Sequence, residues 1–84
     1  MTLEQAFGNI LKQHRKKHQL SQEKLAELCS LDRTFVSELE RGVKKPSLKT
    51  IFLISKSMNI TASDFIREVE GLLNDNKITN NFNM

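Results

Sequence analysis

The sequence has little of what most protein chemistries need. Cys29 is the only cysteine in 84 residues, which excludes an internal disulfide and fits a reducing compartment. Gly8, Gly42 and Gly71 are too scattered to form a phosphate-cradling loop. The single proline, Pro46, falls between periodic segments rather than inside one. The longest apolar run, Ile51 to Ile54, is far short of the ~20 residues of a membrane-spanning helix. The opening Met1-Thr2-Leu3-Glu4-Gln5 has neither a basic start nor an apolar signal core, so a soluble cytoplasmic protein is expected. There is no internal repeat and no strand-like alternation.

Catalytic patterns are missing too. Glu68 and Glu70 have no partnering acid in view, and no Ser/His/Asp spacing recurs from known motifs. His14 and His18 are four apart, as metal ligands on one helical face would be, but no third ligand accompanies them. The expectation is that His14 packs at the edge of the core and His18 is solvated. Cys29 reads as a buried small hydrophobe, with a redox-sensing thiol as the alternative. No enzyme activity, cofactor, metal or small-molecule ligand is expected.

What is present is helical periodicity and uneven charge. Hydrophobic residues make up 38% and charged residues 27%, too apolar for disorder. Apolar residues at helical spacing predict five helices: about Leu3–Lys17, Gln22–Cys29, Arg33–Arg41, Leu48–Met58 and Ala62–Leu73. Ser21, Asp32, Ser47 and Thr61 supply N-caps, and Thr61 with Asp64 resembles a capping pair. Gly42 is a left-handed C-cap for helix three. Leu25, Ala26 and Leu28 are expected to form the buried face of helix two. Residues 1–73 make one domain, followed by an Asn-rich tail, 74–84, expected to fray. Residues 1–56 carry eleven Lys/Arg against six Asp/Glu, while 57–84 carry two against four. A basic part facing a polyanion and a second part used otherwise would explain this, as would an ordinary solvated surface.

The stretch Ser21–Arg41 reads as two short helices joined by a tight turn, the outline of a helix-turn-helix. At about 100° per residue, Arg33, Thr34, Ser37, Glu38 and Arg41 share one polar arc on helix three. Val36 and Leu39 lie opposite, and Phe35 sits on the border. Arg33 can fork onto guanine, Thr34 can reach a base edge or a thymine methyl, and Glu38 can accept from cytosine. Ser37 lies one turn behind, and Phe35 either touches a thymine or simply packs. Any amphipathic surface helix can show such residues, so the arc alone leaves both readings open.

Gln22, Leu25, Ala26, Leu31, Val36, Ser37 and Leu39, with Glu40-Arg41-Gly42 and Pro46-Ser47-Leu48, resemble the Xre family of helix-turn-helix regulators, the class of phage repressor and Cro domains. The resemblance covers about Phe7 to Ile66. Within it, Leu31 to Ser37 with Glu40-Arg41 looks most like the controller proteins of restriction–modification systems, small dimers that regulate their own gene and the endonuclease gene. The resemblance implies an all-α, five-helix, lambda-repressor-like domain that binds a palindromic operator in double-stranded DNA. It implies base reading by Arg33, Thr34, Ser37 and Glu38. Phosphate contacts fall to Ser21, Gln22, Arg41, Lys44, Lys45 and Lys49, and an ion pair joins Arg15 to Glu40. Helix five and the surplus apolar side of helix four would form the homodimer face through Leu53, Ile60, Phe65, Ile66 and Val69. RNA polymerase is a further candidate partner. Where the family usually has glycine in the turn this chain has Ser30, which must reach that conformation with a side chain present. An antitoxin or a stand-alone phage-type repressor would carry the same features. A helical protein-interaction module that never touches DNA is the alternative from another class.

Overall fold

The computed structural model describes residues 1–75, and within them the chain forms five α-helices and no strand. Helix α1 spans Leu3–Lys17, α2 Gln22–Cys29, α3 Arg33–Glu40, α4 Leu48–Ser57 and α5 Ala62–Asp75. Arg41 and Met58 act as caps at the ends of α3 and α4. Helix α5 runs two residues past its expected end, so Asn74 and Asp75 are helical rather than tail. The remainder of the expected tail, 76–84, lies outside the described residues.

Hydroxyl and carboxylate caps start the helices. Ser21, Asp32, Ser47 and Thr61 each accept from a backbone amide two or three residues on. The pairing expected of Thr61 and Asp64 forms only by half: the Asp64 carboxylate turns instead to Arg67 Nη1 at 2.6 Å. A full capping box, unanticipated from the sequence, opens α1. There Gln5 N–H donates to Thr2 Oγ1 (3.1 Å) and Thr2 N–H donates to Gln5 Oε1 (2.9 Å).

Helices α1 to α4 all stop the same way. Each ends in a left-handed residue: Gln19 (φ 57°), Ser30 (φ 55°), Gly42 (φ 75°) and Asn59 (φ 57°). Around each, one amide bonds back five residues and the preceding amide bonds back three, as in Leu31→Ala26 (2.8 Å) and Ser30→Glu27 (3.3 Å). Only Gly42 advertises this in the sequence. The residue after each left-handed position is apolar, and Leu20, Leu31 and Ile60 pack against the core. This contact helps to offset the steric cost of a side chain at positive φ.

The core gathers Phe7, Ile10 and Leu11 from α1, Leu25 and Ala26 from α2, and Val36 and Leu39 from α3. Ile54, Met58, Phe65 and Val69 complete it from the C-terminal side. Two expectations need correction. Leu28 is exposed; Cys29 takes its place, because residues 25, 26 and 29 share one side of a helix and residue 28 lies well round from it. Phe65 and Val69, expected at a dimer face, are 0% and 2% exposed inside the subunit's own core, where Phe65 meets the Phe7 ring at 5.2 Å. No helix of the described residues is long and apolar enough to cross a membrane.

Candidate nucleic-acid interface

Helix α3 is set by its two ends. At the start, Ser30 turns the chain, and Asp32 accepts from Thr34 N–H at 3.3 Å to begin the helix. Val36 and Leu39 are wholly buried, which fixes the rotation of α3. The opposite side carries the arc. Arg33, Thr34 and Arg41 are exposed, and Ser37 and Glu38 half-buried. Phe35 is half-buried and packs against the core, which takes part of its ring away from any surface contact.

At the far end α3 is clamped. Arg15 Nε donates to Glu40 Oε2 at 2.5 Å and Nη2 donates to Oε1 at 3.1 Å, while Nη1 donates to the Leu20 carbonyl at 2.8 Å. The two side chains are only 11% and 3% exposed. A forked, fully hydrogen-bonded pair of this kind is the form in which buried charges are tolerated. Gln22 Nε2 donates to the same Glu40 Oε1 at 3.0 Å, so α1, α2 and α3 meet at one carboxylate. Gly8 explains itself here. A Cβ on it would lie 2.5 Å from both the Leu39 and Glu40 carbonyl oxygens, so glycine lets α1 ride directly on the end of α3. In the sequence the only signal for this contact is a glycine inside the first helical stretch.

Among the remaining positions, Ser21, Lys44, Lys45 and Lys49 are exposed and Gln22 is half-buried. Arg33, Arg41, Lys44, Lys45 and Lys49 take part in none of the ion pairs among the described residues. Their charge is therefore uncompensated by close partners and available to a polyanion.

Groups expected elsewhere fall into place. His14 Nε2 lies 2.8 Å from Glu68 Oε1, and its ring is 5.7 Å from Phe65, at the edge of the core as expected. His18 is exposed, with Nδ1 donating to the His14 carbonyl. Cys29 is buried, with Sγ near Ser57 Oγ at 3.3 Å. No group of three or more metal-ligating side chains occurs among the described residues. Phe52 (58% exposed), Leu53 and Ile66 leave apolar surface on α4 and α5, and Ile60 is half-buried beside it.

A buried clamp thus stands behind an exposed polar helix. The helix-turn-helix family matches residues 11–65. The control protein C.BamHI of Bacillus amyloliquefaciens is 43% identical over 61 residues, covering 71% of this chain and 75% of that protein. C.MunI of a Mycoplasma species is 43% identical over 65 residues, covering 76% and 88%. Among solved structures, the restriction–modification controller protein C.AhdI from Aeromonas hydrophila aligns with a TM-score of 0.70 at 36% identity, over 79% of this chain and 94% of that one. The chain belongs to the helix-turn-helix family of DNA-binding regulators. Within that family it stands close to the control proteins of restriction–modification systems.

Proposed function

We propose that the protein is a homodimeric transcription regulator of the controller type, acting in the cytoplasm on a two-fold symmetric operator near a restriction endonuclease gene and its own. The observation that carries this is the outer arc of α3. Arg33 and Thr34 stand exposed in its first turn, and Arg33, Arg41, Lys44, Lys45 and Lys49 enter no ion pair among the described residues. Arg33 forks onto a guanine, and Thr34, Ser37 and Glu38 complete the base contacts. Ser21 and Gln22 meet phosphate together with Arg41 and the three lysines. The dimer forms through Leu53, Ile60 and Ile66, joined by Phe52, and places two recognition helices about 34 Å apart. Regulation follows from promoter occupancy and contact with RNA polymerase, and the chain performs no chemistry of its own.

Binding to the inverted repeat upstream of the gene tests this. Arg33→Ala is expected to lose about 1–3 kcal/mol at that site and to relax sequence preference. Lys45→Ala weakens all duplexes alike and lowers the salt dependence by about one counterion per subunit. Discrimination unchanged by Arg33→Ala would remove it as the reading residue. Sedimentation that found only monomers on and off the DNA would overturn the dimer. A toxin gene in the neighbourhood, in place of a methyltransferase and endonuclease, would move the protein to an antitoxin role.

A further inference from the structure

We propose that Glu40 is a positioning residue for DNA backbone recognition, acting through Gln22. The inference rests on the phosphate role of Gln22 given above. A glutamine amide on a protein surface turns freely and offers a phosphate its oxygen as often as its nitrogen. Here it does not. An ionised carboxylate only accepts, so Glu40 Oε1, 3.0 Å from Gln22 Nε2, selects the amide orientation that presents nitrogen inward. The amide is planar and Nε2 carries two hydrogens. With one given to Glu40, the other is directed away from that carboxylate and has no partner among the described residues. Gln22 is also half-buried, which narrows its rotamers further.

Arg15 makes the arrangement workable. Its two bonds to Glu40 neutralise the carboxylate, so the group that orients Gln22 does not repel an approaching phosphate. Arg15 is in turn held by the Leu20 carbonyl, in the connection between α1 and α2. The clamp that fixes the end of the recognition helix thus also aims a backbone contact from the start of α2. Both features are then set in one register by one buried side chain.

The test is a double-mutant cycle in the full chain, using a random-sequence 30-base-pair duplex at low salt and thermal melting in parallel. Glu40→Asp retains the charge but shortens the reach, so it releases Gln22 without altering the field at the DNA. Gln22→Ala and Glu40→Asp are each expected to weaken duplex binding about tenfold. The double variant should bind no worse than Gln22→Ala alone. Because Gln22 is neutral, its loss leaves the slope of log affinity against log salt unchanged, whereas removing a phosphate-binding lysine lowers it. If Glu40→Asp melts below the assay temperature, the Gln22 side-chain amide is followed by NMR in the wild-type chain, where one hydrogen held by Glu40 is expected to exchange slowly with solvent and a freely turning amide would overturn the positioning role. Additive losses of affinity would overturn the positioning role while leaving Gln22 as a phosphate contact. An unchanged affinity for Gln22→Ala would overturn the contact and with it the positioning role. Failure of the wild-type chain to bind any duplex would overturn the functional reading itself, and this proposal with it.

Discussion

The two ends of α3 are built on opposite terms. The first turn is held by one capping carboxylate and leaves Arg33 and Thr34 exposed. The last turn is held by Arg15, Gln22 and the close approach of Gly8, and it buries Glu40. The proposed function needs both. In that reading the exposed end keeps its donors unsatisfied until DNA supplies partners, so it contributes little to stability. The anchoring end must fix rotation and tilt closely enough for those donors to meet base edges. Substitutions at the anchored end are therefore expected to act on folding first, and those at the free end on binding alone.

The sharpest way to break this contrast is Arg15→Ala. It leaves the Glu40 carboxylate buried with only Gln22 as donor, and a loss of about 3–5 kcal/mol in denaturant unfolding is expected. A loss below about 1 kcal/mol would mean that solvent reaches the clamp. Gly8→Ala comes next. Backbone carbonyls stand where its Cβ must go, so a destabilisation of about 1–3 kcal/mol is expected despite the better helix propensity of alanine. Calorimetry that found this variant more stable would show α1 free to slide on α3.

Ser30→Gly should act in the other direction. Relief of a left-handed serine is expected to raise stability by about 0.5–1 kcal/mol, read as a higher melting temperature with operator affinity retained. A lower melting temperature would mean that the Ser30 side chain stabilises the turn. Arg33→Ala has the smallest expected effect on folding, within about 0.5 kcal/mol, because the side chain touches no ion partner among the described residues. A large loss of stability there would erase the distinction between the two ends.

Much of this was legible in advance because it depends on local spacing. Caps at Ser21, Asp32 and Ser47 and a 3.6-residue period placed the helix starts, and angular position separated Val36 and Leu39 from the arc of Arg33 and Thr34. The place of Leu28 is not legible in the sequence, because a short helix with three apolar residues in four does not declare which of them face inward. Phe65 and Val69 look available to a partner in the sequence because periodicity marks a buried face without saying whether the subunit's own helices cover it. In the fold, α1 and α4 cover that face, and Phe52, Leu53 and Ile66 are among the large apolar side chains left exposed instead.

By itself the sequence determined five helices, the turn before α3 and the polar arc that faces outward, since each follows from torsional preference, capping chemistry and helical period within a few residues. Only the tertiary structure decided why Gly8 interrupts α1, where Glu40 sends its carboxylate and which apolar side chains remain exposed. Those outcomes depend on contacts between residues far apart in the chain, such as Arg15 with Glu40 and Gly8 with Leu39, whose distances no local pattern contains.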